Sequence, residues 1–314
     1  MIQTSGILTL TLNPALDCSS EAETVWPVRK VRTFNETYVA GGGGINVARA
    51  ITQLGGEATA LYFAGGATGV FLGELLDAAT VPHVAVQIKG NTRISHNVFD
   101  RATRQDFRFV PDGPEVSKAE IDALLAKLET LSPRWIIGSG SLPRGATIDI
   151  YAKVADIAKA KGAHFVLDTS GLALKAALAH GGLSLIKPSL GELASIGGVP
   201  LNTREEQEAA ALALVRSGAA ERVAVTLGKD GGFLADNGGI FGAPAPSVEA
   251  LSAVGAGDSF LGAMVLSLAQ GATSREAFLT GMAAGAAACL TIGTQLCHKT
   301  DVDRILATIK AQIS

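Results

Sequence analysis

Residues 254–259, VGAGDS, place a single acid directly after two glycines and before an apolar run. The apolar residues recur every three or four positions from Phe260 to Leu268, which predicts a helix that begins at this turn. Glycines leave the backbone amides bare, and the N-terminus of a helix attracts anions. Asp258 therefore either caps the helix or accepts a proton beside a bound anion. An acid in this position is expected to have a lowered pKa.

A second glycine-rich stretch, AGGGGINVARAITQLGG at residues 40–56, holds four consecutive glycines before a predicted helix. Each glycine loses much conformational entropy on folding, so four in a row are costly for a plain turn. We interpret the stretch as a ligand loop in which the Asn46 amide binds hydroxyl groups. The G-x-G-x-x-G spacing of dinucleotide-binding loops fails, because Asn46 or Val47 occupies the third glycine position. A nicotinamide-dependent oxidoreductase is thus disfavoured.

The two glycine turns and the carboxylate together indicate phosphoryl transfer. This reaction depends on charge neutralisation and alignment more than on covalent help from the protein. The sequence has no Walker-type loop that would hold phosphates instead. With a lowered pKa, Asp258 would be a poor base early in the reaction but an adequate late acceptor in a loose transition state.

The remaining sequence alternates short apolar blocks with helical periods. Examples are ATALYFAG before GVFLGELLDA, WIIGSGS before TIDIYAKVADIAKAKG, and HFVLDTSG before LALKAALAHG. Strands that alternate with helices predict right-handed crossovers and a mostly parallel sheet covered on both faces. The predicted fold class is therefore α/β, with a Rossmann-like arrangement in three layers.

Two segments interrupt this alternation. Residues 17–38 are polar and lack a helical period, and residues 93–110 alternate like a hairpin around DRATRQD. Both are predicted to form strands of a small second sheet outside the main one. No internal repeat or low-complexity linker occurs. We expect one domain over residues 1–314, with lid segments at approximately 17–38 and 90–110 inserted in it.

Composition limits the partners. The net charge of −3 disfavours nucleic acid and anionic membranes. The uncharged stretch 277–297 is rich in Ala and Gly and is broken by polar residues, so a buried helix is predicted there instead of a membrane span.

The opening MIQTSGILTLTLNP is typical of a first strand, not of a signal peptide. Cys18, Cys289 and Cys297 show neither metal-site spacing nor a disulfide pattern, which predicts reduced thiols and a cytoplasmic location.

Seven motifs follow one another along the chain: TLTLNPALD, GGGGINVARAI, AGGATG, RFV, GSGSLPRG, VGAGDS and GTQLC. Their wording and order resemble those of the ribokinase-like, PfkB-type carbohydrate kinases nearly from end to end. The resemblance implies a ribokinase-like fold with a small β-sheet lid. The motifs are most similar to those of the minor, ribokinase-type 6-phosphofructokinase branch, while tagatose-6-phosphate kinases and 1-phosphofructokinases share parts of them.

The resemblance implies roles on the sugar side of the site. Asp258 would be the catalytic base for the attacking sugar hydroxyl, and an anion hole would be formed by the amides of Gly255, Ala256 and Gly257. Sugar hydroxyls would be bound by Asp17, Gly42, Gly43 and Asn46. Further substrate contacts are matched at Lys30, Arg93 and Ser141. Lys30 and Arg93 are two cations on predicted lid segments, and this placement favours an anionic substrate independently of the resemblance.

The nucleotide side is implied in the same way. The matching positions there are Lys187, Ser189, Thr226 and Gly228. Glu192 would act on magnesium indirectly, through water. The family commonly has an N-x-x-E motif at this point, and here residues 189–192 read SLGE. The hydroxyl in place of the amide bears on the magnesium response and leaves the reaction type unaffected. Arg144, where proline is usual, is expected at the surface.

The resemblance thus implies a cytoplasmic kinase that uses ATP with Mg²⁺ and acts on a ketohexose monophosphate. Fructose 6-phosphate, phosphorylated at its 1-hydroxyl, is the foremost candidate, and tagatose-6-phosphate kinase and 1-phosphofructokinase stay open. Lid strands of two subunits would pair into a homodimer, which would also cover their exposed edges. A non-catalytic sensor of sugar phosphate or nucleotide on the same fold is the alternative from another class. The retained Asp258 and its glycines disfavour it.

Overall fold

The computed structural model describes residues 6–291, 293 and 295–313. Three predicted features fall partly outside the described residues: the opening segment loses residues 1–5, the GTQLC motif loses Thr294, and the uncharged stretch 277–297 loses residues 292 and 294. The rest of the opening segment forms the first strand, as predicted.

The strands follow the apolar blocks. In chain order they are β1 (Ile7–Thr11), β2 (Ala15–Ala22), β3 (Phe34–Gly41), β4 (Thr59–Ala64), β5 (His83–Gln87), β6 (Arg93–Asp100), β7 (Gln105–Phe109), β8 (Trp135–Ser139), β9 (His164–Asp168), β10 (Leu185–Ile186), β11 (Val223–Thr226), β12 (Gly232–Asp236) and β13 (Gly239–Ala243). The helices are α1 (Gly43–Gln53), α2 (Gly66–Ala78), α3 (Lys118–Thr130), α4 (Ile150–Lys161), α5 (Gly171–His180), α6 (Leu190–Gly197), α7 (Arg204–Arg216), α8 (Ala256–Ala269), α9 (Ser274–Ala288) and α10 (Lys299–Ile313).

The main sheet has the strand order β13-β12-β11-β10-β9-β8-β1-β4-β5. The run from β11 to β5 is parallel throughout. The strands β12 and β13 extend it in antiparallel fashion at one edge. The predicted α/β class with a mostly parallel sheet is confirmed.

Helices cover both faces of this sheet. Neighbouring strand residues such as Ile136 and Ile137 belong to two different apolar clusters, because successive side chains of a strand point to opposite faces. One cluster is completed by side chains of α1, α2, α8, α9 and α10. The other is completed by α3, α4, α5, α6 and α7. Both faces are therefore dry, which explains why the strand sequences are apolar blocks without alternation.

The two interrupting segments form the second sheet, with the strand order β3-β2-β6-β7. We call this four-stranded sheet the lid. β6 and β7 make the predicted hairpin, and β2 pairs in parallel with β6. The first lid segment is wider than predicted, since its strands begin at Ala15 and end at Gly41. FNETYV, a poor strand for the main sheet, is instead part of a half-exposed lid strand.

The stretch 277–297 contains most of α9, whose side chains are largely buried, chiefly against α8 and α10. No helix within the described residues is long and apolar enough to cross a membrane. Cys18, Cys289 and Cys297 are free thiols, in line with the prediction.

Candidate active site

Helix α8 begins where the sequence predicts, but Asp258 does not cap it. Gly255 is the N-cap residue, with φ of 77°, and it makes no side-chain capping hydrogen bond. The amides of a first helical turn have no partners inside the helix, which is why such turns attract anions. The Ala256 amide donates to the Ala253 carbonyl oxygen at 3.4 Å, a long hydrogen bond that a bound anion would have to replace. A side chain at Gly255 would also meet Leu296, since a Cβ there would lie 2.6 Å from Leu296 Cδ2. Glycine at this position satisfies both the backbone angle and the packing.

Helix α1 differs from the prediction at its start. Its N-cap is Gly42, so the last two of the four glycines form its first turn instead of preceding it. Close packing explains this: a Cβ on Gly44 would lie 2.5 Å from Thr11 Oγ1 on β1. Because glycines have no side chain, the N-terminus of α1 packs directly against the carboxyl end of β1. Ligands of open α/β sheets bind at this edge.

We expect Gly42→Ala to destabilise the protein more than Gly55→Ala. Both glycines have positive φ, 109° and 85°, so both substitutions strain the backbone. At Gly42 a Cβ would also lie 2.9 Å from Thr11 Cγ2, whereas nothing lies within 4 Å at Gly55. This overpacking should cost roughly 1–3 kcal/mol beyond the shared backbone cost. Urea unfolding of the two variants measures the difference, and equal midpoints would show that crowding at Gly42 is relieved.

The N-termini of α1 and α8 lie side by side at the site. A Cβ on Gly262 of α8 would lie 3.1 Å from the Val47 carbonyl oxygen, so the two helices are in close contact. This packing brings Asn46 to Asp258, and Asn46 Nδ2 donates a hydrogen bond to Asp258 Oδ2 at 2.9 Å. The sequence predicted that the Asn46 amide binds ligand hydroxyls; in the structure its NH₂ group faces the acid.

The pKa of Asp258 moves opposite to the prediction. Burial raises it to about 6, and the nearby Asp168 carboxylate adds to the rise. The hydrogen bond from Asn46 and the charge of Lys187 oppose these effects without overcoming them. The positive end of a helix favours a carboxylate by only about 0.3–1 kcal/mol at exposed sites, which is less than burial costs. Asp258 is consequently a stronger base than its place in the sequence suggests.

Lys187 lies directly after β10 and pairs with Asp168 at the end of β9. Lys187 Nζ is 3.3 Å from Asp168 Oδ2, and both side chains are largely buried. Burial alone would lower the pKa of Lys187, but the carboxylates of Asp168 and Asp258 outweigh it and raise that pKa. The lysine stays charged. A Cβ on Gly257 would lie 3.3 Å from Lys187 Nζ, so the ammonium group faces the bare start of α8.

Asp17 lies on lid strand β2, opposite Val39 of β3 and Ser95 of β6. Burial raises its pKa, and the charges of three arginines, Arg49, Arg108 and Arg93, counteract this. Asp17 and Arg108 line one small cavity with Cys18, Ser19, Ser95, His96, Asn97, Val110, Val254 and Gly293. The cavity lies between the lid and the loop that precedes α8.

The other three predicted substrate contacts are placed differently. The guanidinium group of Arg93 donates hydrogen bonds within the protein, to the carbonyl oxygens of Asn13, Pro14 and Pro111. Ser141 is exposed after β8, and its Oγ accepts a hydrogen bond from Asn13 Nδ2 at 3.2 Å. Lys30 lies exposed in the loop between β2 and β3, and nothing described in this chain brings it to Asp17.

The predicted nucleotide residues lie near the carboxyl ends of β10 and β11. Ser189 and Thr226 line a pocket of about 510 Å³ together with Leu190, Gly191, Arg204, Gln207, Leu227 and Asp230. Gly228, with φ of 60°, begins a short 3₁₀ turn next to it. Lys187, two residues before Ser189, does not line this pocket and interacts electrostatically with Asp258.

Ser189 and Glu192 cap a helix. The spacing S-x-x-E predicts this role, whereas the resemblance suggests only ligand binding for the two residues. Ser189 is the N-cap of α6, and Glu192 Oε2 accepts hydrogen bonds from the Ser189 amide and hydroxyl at 2.8 and 2.9 Å. This is a capping box. Arg144 is exposed, as expected.

Three residues at the site were missed in the sequence: Asp168, Arg49 and Arg108. Asp168 ends an apolar strand block, HFVLD, and an acid at the carboxyl end of a parallel strand is a usable signal. Arg49 is a charge among the apolar positions of the α1 sequence. Arg108 is part of the RFV motif but carries no local sign of its role.

This arrangement brings together a half-buried acid with a raised pKa, two helix N-termini and one charged lysine. A group that loses a proton at Asp258 would lie beside the start of α8 and the Lys187 ammonium group. Such a site can stabilise negative charge that develops on a transferred group.

Comparison with known proteins agrees with this chemistry. The model of the family described as pfkB family carbohydrate kinase matches residues 13–301. The chain is 40% identical over 302 residues to the ATP-dependent 6-phosphofructokinase isozyme 2 of Escherichia coli, covering 96% of this chain and 98% of that protein.

Solved structures are similar over the whole length. Phosphofructokinase-2 from Escherichia coli in complex with substrates and products matches with a TM-score of 0.92 at 39% identity, covering 97% of this chain and 99% of that one. The tetrameric inhibited form of the same-named enzyme matches with a TM-score of 0.93 at 38% identity, covering 98% and 99%.

Proposed function

The chain belongs to the pfkB family of carbohydrate kinases, and we propose that it transfers the γ-phosphoryl group of ATP to the 1-hydroxyl of fructose 6-phosphate. The observation that carries this is the position of Asp258, a base with a raised pKa beside the bare N-terminus of α8 and Lys187. The family gives the reaction class. The sugar is taken from the 40% identical relative.

In the proposed reaction, the 1-hydroxyl oxygen of the sugar forms a bond to the γ-phosphorus of ATP. The bond from that phosphorus to the β–γ bridging oxygen breaks, and ADP leaves. The hydroxyl proton passes to Asp258. The amides of Gly255, Ala256 and Gly257, together with Lys187, hold the charge of the transferred phosphoryl group.

We propose that Asp17 orients the sugar, because it lies in the cavity between the lid and the loop that precedes α8. Gly42, Gly43 and Asn46 form the wall of α1 beside it. Arg93 and Arg108 surround Asp17 with positive charge, which suits the phosphate of the sugar. We assign Lys30 and Ser141 to the rim of the same subsite, and Thr226, Ser189 and Gly228 to the adenine nucleotide.

A coupled assay of ADP release over a sugar-phosphate panel tests the proposal. Fructose 6-phosphate should give the highest kcat/KM, above tagatose 6-phosphate and fructose 1-phosphate. Preference for either of the other two would reassign the sugar within the same reaction class. If every sugar phosphate fails while calorimetry shows binding of both ligands, the kinase proposal is wrong and a sensor is supported.

We expect kcat to rise with pH through an apparent pKa near 6. Burial raises the pKa of Asp258 to about 6, so the acid is mostly protonated below that pH and cannot accept the hydroxyl proton. Above it the carboxylate prevails and the rate should level off. Initial rates at saturating substrates between about pH 5 and 8 give the profile. A flat profile would show that Asp258 does not limit turnover in this range.

We further propose that ATP acts with Mg²⁺, which would neutralise phosphate charge. Magnesium usually keeps several waters and binds to one or two carboxylates plus substrate phosphates. The described residues fit that mode, since they contain no cluster of three metal-ligating side chains, while Asp168 and Glu192 lie close enough to interact. Glu192 would hold the ion through water, since its Oε2 is engaged in the cap.

Glu192→Gln should raise the Mg²⁺ concentration needed for half-maximal rate, because it removes the carboxylate that we propose holds the ion through water. It also weakens the cap of α6, so the matched control is Glu276→Gln. Glu276 makes the same capping box with Thr273 at the start of α9. Both variants should lose about 0.3–1 kcal/mol of stability, because glutamine still completes a capping box but lacks the charge that a helix N-terminus favours. If the Mg²⁺ titration moves equally in both, Glu192 has no specific role toward the metal.

We propose a homodimer formed through the lid. Several apolar side chains on or beside the lid are more than half exposed: Trp26, Val28, Phe109 and Val110. Burying them between two subunits would remove apolar surface from water and cover the lid edges. Sedimentation velocity of the purified chain tests this. A monomer at micromolar concentration would refute it, and a tetramer would point to a second interface, as in the tetrameric form of the Escherichia coli enzyme.

We propose a cytoplasmic location on the basis of the three free thiols, which suit a reducing compartment. Cell fractionation tests it directly.

A further inference from the structure

Arg49 is a charged side chain in the interior, one turn after Asn46 on α1. It is only 8% exposed. Burying a guanidinium group is costly unless its donors and its charge are compensated. A helix that needed an apolar side chain here could have used leucine or methionine, so what the arginine contacts is informative.

Its hydrogen bonds connect two parts of the site. Arg49 Nη1 donates to the carbonyl oxygen of Ala40, on lid strand β3, at 3.0 Å. The same nitrogen donates to Asn46 Oδ1 at 3.1 Å. Arg49 therefore touches both the lid and the residue that contacts the base.

The contact with Asn46 decides which way its amide points. An asparagine amide has one accepting oxygen and one donating NH₂ group. With the oxygen held by Arg49, the NH₂ group is directed at Asp258, to which it donates at 2.9 Å. A flipped amide would set its oxygen against the carboxylate and its NH₂ group against the guanidinium, both unfavourable.

The positive charge of Arg49 also interacts with the two acids of the site. The guanidinium lies near the carboxylates of Asp17 and Asp258, and both counteract the lowering of its pKa by burial. Among the three arginines whose charges lower the pKa of Asp17, Arg49 has the largest effect. The guanidinium thus lies near both acids and counteracts the rise in the pKa of Asp17.

We propose that Arg49 is a positioning residue: through the Asn46 amide it orients the carboxylate of Asp258, and through Ala40 it ties that orientation to lid strand β3. It touches neither substrate in this scheme. Its effect on turnover rests on the proposed kinase function, whereas its effect on the ionisation of Asp258 does not.

The first experiment measures that ionisation without substrate. The titration of Asp258 is followed by ¹³C NMR of aspartate carboxyl groups, assigned by loss of the signal in Asp258→Asn. Asp168, Lys187 and Asp17 also face Asp258 and are unchanged by the substitution. Arg49→Met should raise the proton affinity of Asp258 by about threefold or more, since the Asn46 donor that lowers its pKa is no longer held in place. An unchanged titration would overturn the proposal.

The second experiment is a double-mutant cycle on kcat. Arg49→Met and Asn46→Ala should each lower kcat by about tenfold or more, and the double variant should be no slower than Asn46→Ala alone. Additive losses would show that Arg49 does not act through Asn46. Arg49→Lys keeps the charge and should recover part of the rate; it also supplies the cycle if Arg49→Met does not fold.

Arg216→Met, an exposed change at the end of α7, is the control for losing an arginine. It should leave both measurements unchanged. Arg49→Met with a lower melting temperature but a normal titration would indicate a structural role only. If the wild-type chain turns over no sugar phosphate, the proposed function fails, and the titration still decides the role of Arg49.

Discussion

Asp258→Asn should lower kcat about 10³-fold, because it removes the group that accepts the hydroxyl proton in the proposed reaction. The change is nearly isosteric. The new amide oxygen can still accept the hydrogen bond that Asn46 Nδ2 makes to Asp258 Oδ2 at 2.9 Å, so the site should keep its shape. The Kd for ATP, measured by calorimetry, should therefore stay within about threefold of the wild-type value.

The matched control is Asp301→Asn. Asp301 also lies in the first turn of a helix, α10, and contributes nothing to the site described above. Losing a helix-start carboxylate there should affect stability by no more than about 1 kcal/mol and leave kcat unchanged. If Asp258→Asn retains a tenth or more of the wild-type rate, Asp258 is not the base.

Lys187→Met should lower kcat by about 10²–10³-fold, the loss that follows removal of one group that stabilises transition-state charge. It should also shift the acidic limb of the rate profile to higher pH, because the charge of Lys187 lowers the pKa of Asp258. Stability should fall as well, by about 3–5 kcal/mol, since Asp168 is left as an unpaired, largely buried carboxylate.

Two further variants separate rate from stability. The double variant Lys187→Met/Asp168→Asn no longer has an unpaired carboxylate at position 168. Its melting temperature should therefore recover while kcat stays low. Lys153→Met, which breaks an exposed pair with Asp149, should change stability by less than about 1 kcal/mol. A double variant that recovers the rate together with the stability would show that Lys187 only neutralises Asp168.

Some of the site could be predicted because its signals are local. The helix start at Gly255, the hairpin within 93–110 and the alternation of strands with helices all follow from periodicity and turn chemistry within a few residues. The capping box of Ser189 and Glu192 was equally visible in its spacing. The interpretation of that pair as metal and nucleotide ligands did not take the cap into account.

Other properties depend on residues far apart in the chain. The lowered pKa expected for Asp258 was wrong because burial and Asp168, 90 positions away, outweigh the helix N-terminus. Asn46 meets the base only because α1 and α8 pack together. Arg93 is committed to three backbone carbonyls, which no pattern of residue types reveals.

The α/β order of elements, the separate lid and the acid at the start of a glycine-led helix can be read from the amino-acid sequence. They follow from backbone angles and apolar spacing, which each segment carries within itself. Three further features exist only in the folded chain: the raised pKa of Asp258, the charge of Lys187 held against Asp168, and the link that Arg49 makes between the lid and Asn46. Burial and charge–charge interactions depend on distances in space, and these exist only once both helices have docked on the sheet.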